Sequence, residues 1–452
     1  MLESIVFENF KTWPKADLKF GRITGLFGTN SSGKSSILQF LLTLKQTKEA
    51  TDRTISLELN GTYVSLGGYY DAVYSHDEAL DIKWNVSFST PEPISLVDPS
   101  AKRTQIFVKS DQIKIRGEVG VGTAGLVGRR LTYQVGDSQT FSLSSKRSDS
   151  TAFELKASGS SFRFIRTPGR AWQIPGPVKG YAFPDQARTY FQNASFLSDL
   201  EAVYERQIDG IYYLGPLREY PKREYVWSRS RPRDVGIRGE KTIEAILAAT
   251  ISNETRNLKT KARLKTFQEM VAYWLSELGL IKSFDVIELA KGSNYWQARV
   301  QVREGGPTAL LTDVGFGVSQ VLPIITLLYF VPEGSTVILE QPEIHLHPLA
   351  QANLADLIIN VATHRNIQVI FESHSEHLIL RLQRRIAEGE VSNKDISLYF
   401  CEAPEGESIL HPLKVDLYGQ IENWPENFMG DAFGETVAAE KARLKRMRTE
   451  SK

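Results

Sequence analysis

The chain has a single cysteine, Cys401, among 452 residues. One thiol cannot build an internal disulfide framework or a multi-cysteine zinc site, and such cysteine poverty suits a reducing compartment. Long apolar runs are missing as well. The longest, residues 321–331, falls short of the ~20 residues that a membrane span needs. The opening stretch, MLESIVFENF, lacks the basic start and apolar core of a secretory signal. Charge of one sign is equally scarce. The 54 Lys and Arg residues stand against 53 Asp and Glu, which argues against blanket coating of nucleic acid but leaves room for local basic patches. No internal repeat and no sustained heptad run occurs, so long coiled-coil arms are excluded. What remains is a globular chain, expected in the cytoplasm, with about three lobes at roughly 150 residues each.

The patterns that are present alternate in kind. Residues 5–10 and 22–27 are β-branched and aromatic and read as strands. Residues 36–44 read as a helix with Ile37, Leu38, Leu41 and Leu42 on one face. From 55 to about 165 short β-like runs alternate with Gly, Ser and Asp turns, as at 104–109, 131–135 and 162–165. The glycine-rich stretch 117–128 reads as loop. Helical patterns follow at 184–207, 243–251 and 261–278. From Glu333 onward the order is strand, loop, helix, strand, helix, strand, the alternation of a parallel sheet with crossover helices. The polar C-terminal end reads as a helix with a frayed tail.

The sharpest local signal is Gly28-Thr29-Asn30-Ser31-Ser32-Gly33-Lys34-Ser35. It fits G-x-x-x-x-G-K-[ST], follows a strand and opens a helix. Glycines let backbone N–H groups turn inward around phosphate oxygens, and the helix N-terminus adds positive potential. Lys34 is then placed for the β- and γ-phosphates, and the Ser35 hydroxyl for Mg²⁺.

A second signal is the apolar strand Thr336-Val337-Ile338-Leu339 ending in Glu340-Gln341-Pro342-Glu343. An acid at the C-terminal end of a buried strand is where a phosphate-loop ATPase holds the Mg²⁺ shell, so Glu340 is the candidate, acting through water. Histidine is a common metal ligand, and His345-x-His347 and His374-x-x-His377 raise that reading. Their placement supports another. His374 follows the strand 368–371, and His347-Pro348 opens the helix after the carboxylate loop.

The segments FENFKTW, GLFGTNSSGKSS, TDVGFGVSQVLPI, VILEQPEIHLHP and VIFESHSEHLILRL occur in that order. Together they resemble the ABC-type ATPase heads of the RecF, SMC and OLD group of AAA-family ATPases. The match is close over residues 1–40 and 311–415, and YLGPLRE resembles a motif of small stand-alone members. The resemblance implies an α/β phosphate-loop NTPase fold: mixed and parallel sheet with flanking helices, plus a β-rich lobe and a helical insertion. It implies that Lys11, Gly28, Asn30, Gly33, Lys34, Ser35 and Ser36 bind ATP with Mg²⁺, and that His374 senses the γ-phosphate. Asp313 to Gln320 falls at the ABC signature, so Gly315, Gly317, Ser319 and Gln320 are expected to cap the nucleotide of an opposing subunit. The usual Leu-Ser-Gly-Gly-Gln is not spelled out there. Gln341 stands where the group carries a water-polarising glutamate, and an amide cannot take a proton. Either hydrolysis is slow or Glu343 supplies the base. A Q-loop glutamine is not evident, and 67–77 is the best candidate region.

The expected organisation is an N-terminal ATPase lobe with a β-rich part over 1–205 and a basic, helical insertion over 206–310. A C-terminal ATPase lobe follows over 311–415 and a helical tail over 416–452. Only about fifty residues follow Cys401, too few for the Toprim nuclease of OLD proteins. Basic residues interleaved with aromatics make Arg218, Lys222, Arg223, Arg229 and Arg231 candidate contacts for DNA or a partner protein. The competing reading is an internal ion-pair network. The expected function is an ATP-hydrolysing switch, slow because of Gln341. It assembles on ATP as a homodimer or larger homo-oligomer through head-to-tail sites and controls a separate nuclease or toxin, in anti-phage defence. The alternative is a RecF-like DNA-binding ATPase of repair.

Overall fold

The computed structural model describes residues 1–99, 106–123, 125–137, 139–145, 152–159, 162–169, 173–259, 261–425 and 441–443. In chain order the first elements are β1 (Leu2–Phe10), β2 (Trp13–Lys19), β3 (Ile23–Gly28), α1 (Lys34–Glu49), α2 (Tyr69–Ala72), β4 (Ile82–Val97), β5 (Ile106–Gly122), β6 (Gly125–Val135), β7 (Gln139–Ser145) and β8 (Phe153–Ser158). Next come α3 (Asp185–Tyr190), α4 (Leu197–Asp209), β9 (Ile211–Leu214), β10 (Tyr225–Val226), α5 (Thr242–Ile251), β11 (Thr255–Arg256), β12 (Lys265–Thr266) and α6 (Phe267–Glu277). The last are β13 (Ser283–Glu288), β14 (Tyr295–Gln301), β15 (Thr308–Leu310), α7 (Phe316–Phe330), β16 (Thr336–Glu340), α8 (Pro348–His364), β17 (Gln368–Glu372), α9 (Glu376–Ala387), β18 (Ile396–Glu402) and β19 (Ile409–Leu413).

Strands buried at every residue must be covered on both faces, and β16 and β17 are buried throughout. They lie inside a six-stranded sheet ordered β19-β18-β3-β17-β16-β9, parallel except for the β19 edge. Successive side chains point to opposite faces. Leu26, Ile338 and Ile370 enter one core with α1, α4 and a second sheet. Phe27, Val337, Leu339, Val369 and Phe371 enter the other core with α5 to α9. The expected α/β fold is therefore present, with a parallel centre and helices on both faces. The second sheet is antiparallel and ordered β2-β1-β4-β5-β6-β7-β8, as the β-like runs before residue 165 imply.

Some expectations need correction. The glycine-rich stretch 117–128 is not a loop: it forms facing parts of β5 and β6, with Gly117 opposite Leu131. A Cβ at Gly117 would lie 2.1 Å from the Trp84 ring, so glycine there makes room for an aromatic on the neighbouring strand. Residues 162–165 form no strand. Phe162 and Phe164 instead pack with Phe141 and Phe196. The helical stretch 184–207 is two helices, α3 and α4. The helix expected over 261–278 begins at Phe267, after the capping box of Thr266 and Glu269. The segment 206–310 is not only helical: it supplies β9 to the central sheet, and β10, β13 and β14 to a smaller one that β15 joins. Residues 104 and 105 and most of the expected C-terminal helix lie outside the described residues. Among the described residues no helix is long and apolar enough to cross a membrane.

Candidate active site

The C-terminal ends of β3, β17, β16 and β9 stand side by side along one rim of the parallel sheet. That rim is where open α/β sheets bind ligands. β3 runs into the loop Thr29–Ser32, and α1 starts at Lys34 behind Gly33. Gly33 has φ 86°, a left-handed conformation open mainly to glycine. A Cβ there would lie 2.4 Å from Ser408 Oγ and 2.6 Å from Trp13 Nε1. The Trp13 indole donates to the Gly33 carbonyl at 3.0 Å and pins the loop from outside.

The Lys34 side chain is buried. Its ammonium donates to the carbonyls of Thr29 at 2.7 Å and Gly28 at 3.2 Å. Burial lowers its pKa, with Glu372 the leading opposing charge. The Ser35 hydroxyl donates to Glu372 Oε2 at 2.8 Å. Glu372 closes β17 and lies directly opposite Glu340, which closes β16. Burial, then the neighbouring Glu372, pushes Glu340 up to about 7, while a 3.0 Å bond from the Tyr213 hydroxyl on β9 and the Arg218 charge oppose this. Burial likewise raises Glu372, against the Ser35 bond and Lys34.

The turn after β16 is bent at Gln341, a non-glycine residue at φ 44° whose N–H donates to the Glu372 carbonyl at 2.9 Å. Left-handed backbone at such a residue is uncommon and gathers at functional sites. Glu343 is buried, and its Oε1 accepts the His374 backbone N–H at 2.8 Å. It is thus tied to the histidine segment. The His374 side chain bonds the backbone of Gly28, and its pKa is lowered by burial and then by Lys34. Arg218 is buried behind β16, with Nη2 donating to the Glu340 carbonyl at 3.2 Å. Burial lowers its pKa to about 10.

Gly28, Gly33, Lys34, Ser35, Glu340, Gln341, Glu343 and His374 thus gather along one rim. Asn30 is exposed at the loop tip, and Ser36 follows in the first turn of α1. Lys11 donates to Gln39 Oε1 on α1 at 2.8 Å. Of the signature candidates, Gly315 is exposed and Gly317 half-buried at the N-terminus of α7. Ser319 is buried, with its hydroxyl bonded back to the Phe316 carbonyl at 2.7 Å, and Gln320 is buried too. His347 caps α8, and His345 packs against Phe316. The stretch 67–77 contains α2 and a short 3₁₀ turn. Sequence reasoning passed over Glu372, Tyr213 and Trp13. Glu372 stands in the quoted VIFESHSEH segment, but only the register with β16 shows its place. Trp13 closes the quoted FENFKTW and Tyr213 opens the quoted YLGPLRE, but only the tertiary contacts with Gly33 and Glu340 show their roles.

The candidate basic contacts are all engaged within the chain. Lys222 pairs with Glu219 at 2.7 Å, Arg223 with Asp313 at 2.9 Å, Arg229 with Glu288 at 3.8 Å, and Arg231 with Glu254. The rim fits a magnesium nucleotide. Left-handed Gly33 turns the loop, with Trp13 and Ser408 closing its outer side. Among the described residues the buried Glu343 Oε2 has no hydrogen-bond partner and suits a water, and Arg218 Nε and Nη1 are unpartnered on the β9 side of the rim. Among the described residues no group of three His, Cys, Asp or Glu side chains forms a metal cage. Nucleotide Mg²⁺ needs only one or two carboxylates besides the phosphates.

A family model described as "AAA domain, putative AbiEii toxin, Type IV TA system" matches residues 23–381. A second, described as a protein of unknown function, matches residues 391–438. A search of the curated proteins finds no significant match. Among solved structures, the SMC head domain from Thermotoga maritima is 12% identical, with 92% of this chain and 99% of that chain covered and a TM-score of 0.42. An SmcHead bound to the C-winged helix domain of ScpA gives 12% identity, 92% and 98% coverage and 0.44. An Smc head with an extended coiled coil bound to the C-terminal domain of ScpA, from Pyrococcus furiosus, gives 11%, 91% and 96%, and 0.43.

Proposed function

The chain belongs to the AAA-domain family that its residues 23–381 match, and from that premise we propose a slow, ATP-held switch that controls a partner effector. The observation that carries the nucleotide reading is the meeting of Lys34, Ser35, Glu372, Glu340 and His374 at the ends of three adjacent parallel strands. Backbone N–H groups of the loop and the start of α1 receive the phosphates. Lys34 transfers its ammonium from the loop carbonyls to the β- and γ-phosphates. Ser35 and the strand-end carboxylates would hold Mg²⁺, which when bound neutralises phosphate charge. His374, bonded to the Gly28 backbone, is placed to respond to the γ-phosphate.

Slow turnover is supported by the groups beside that position. The Gln341 amide can orient water but cannot accept its proton. Glu343 has one oxygen committed to the His374 N–H, which suits positioning of the histidine. Assembly on ATP would place the exposed Gly315 end of α7 against the loop of a second copy. An effector of the toxin class is suggested by the family's description, and anti-phage defence is the setting we infer. Lys222, Arg223, Arg229 and Arg231 pair within the chain but stay largely exposed, so the response to DNA decides between this reading and a DNA-binding ATPase of repair. The test is ATP turnover with and without duplex DNA, together with light scattering with a non-hydrolysable ATP analogue. Slow, DNA-insensitive turnover and analogue-driven assembly are expected. Strong stimulation by DNA would move the function to the repair reading.

A further inference from the structure

Two carboxylates close adjacent strands beside the phosphate loop, and they are held in opposite directions. β17 lies between β3 and β16, so Glu372 is one strand from the loop and Glu340 is two. Glu372 Oε2 accepts the Ser35 proton at 2.8 Å. Glu340 Oε1 instead accepts from Tyr213 at 3.0 Å, on β9, which flanks β16 on the side away from the loop. Its backbone carbonyl is held by Arg218 on that same outer edge. A serine hydroxyl has one proton and two lone pairs. With the proton given to Glu372, the lone pairs are left for a cation, and the carboxylate adds negative charge beside it. An outer carboxylate that orients a metal ligand in this way is a recurrent device of metal sites.

We propose that Glu372, rather than Glu340, is the carboxylate that completes the Mg²⁺ site, positioning the Ser35 hydroxyl toward the ion. Glu340 is then a buttress between Tyr213 and the strand-end turn. The proposal rests on the nucleotide reading above and assigns its metal shell. Glu343 makes no bond to Ser35: its Oε1 holds the His374 N–H and its Oε2 has no partner among the described residues.

The experiment titrates ATP binding with Mg²⁺ in the full chain, with EDTA as the metal-free baseline, for the native protein, Glu372→Gln and Glu340→Gln. Outer-shell substitutions typically weaken metal affinity about 10- to 100-fold. Glu372→Gln should therefore shift the Mg²⁺ titration by that factor, measured against that variant's own ATP binding in EDTA. Glu340→Gln should shift it less. Binding in EDTA also shows that a variant is folded. Should Glu372→Gln fail there, Glu372→Asp is judged by the same shift. A larger shift in Glu340→Gln, or a native-like titration in the Glu372 variant, overturns the proposal while leaving the nucleotide reading standing. A native chain that binds no ATP with or without Mg²⁺ overturns both.

Discussion

Lys34 is a buried cation bound by the carbonyls of its own loop, so its charge is already placed where phosphate would arrive. Lys34→Ala removes that charge. Hydrogen bonds to charged groups contribute about 1.5–3 kcal/mol, so ATP affinity should fall at least tenfold in a direct binding assay. Gln341 gives the opposite kind of test. Gln341→Glu introduces a proton acceptor at the strained turn. A general base contributes about 10²–10⁴-fold, so turnover should rise well beyond assay error, and the ATP-bound assembly should become shorter-lived. Fast native turnover that this substitution leaves unchanged would sink the slow-switch reading. Cys401 is wholly buried, and burial pushes its thiol up to about 12. A thiol-specific reagent should leave the folded chain unmodified at neutral pH and react fully after denaturation.

Elements were legible where local pattern and tertiary demand agreed. β3, β16 and β17 are short apolar runs followed by turn residues, and α1 carries Ile37, Leu38, Leu41 and Leu42 at helical spacing, although from Phe40 to Thr47 it is buried on every side. Residues 117–128 misled because glycine content signals a turn only when nothing across the sheet needs the space, and the Trp84 ring needs it. The start of α6 was present as Thr266-x-x-Glu269, but the basic run before it hid the boundary. Arg365 shows a dependency between elements that no local pattern reveals. Its guanidinium donates to the Tyr329 carbonyl at 2.5 Å and the Val331 carbonyl at 3.0 Å, closing the C-terminal end of α7. Arg365→Ala takes the donor from the Val331 carbonyl, at about 1–3 kcal/mol for a buried group left unsatisfied, while the Tyr329 carbonyl keeps its 3.1 Å bond from Arg256. A clear drop in the thermal midpoint is expected. Arg365→Lys should not restore it, because one ammonium lacks the planar fork that reaches both carbonyls.

At the scale of the whole molecule, the exposed start of α7 is the feature that looks outward. The Phe316 ring lies tilted to Tyr220 at 5.4 Å and edge-on to His345 at 4.9 Å between ring centres, beside exposed Gly315. A second copy bound across this surface and the nucleotide would be stabilised by both, so ATP should strengthen association. Phe316→Asp places an unpaired charge in that contact. It should abolish analogue-driven assembly in light scattering while the monomer still binds ATP. Assembly unchanged by both the analogue and the substitution would remove the two-copy arrangement.

The sequence alone determined the phosphate loop, the carboxylate turn, the histidine segment and the α/β alternation around them. Each is a local pattern whose backbone requirements are met by neighbouring residues. Tertiary structure decided which distant groups share the rim. Parallel register set Glu372 opposite Glu340, although 32 positions separate them in the chain. The choice of β9 as outer neighbour turned Glu340 toward Tyr213, and long-range packing brought Trp13 onto Gly33. Strand order and register depend on which apolar faces bury together, a property of the whole core.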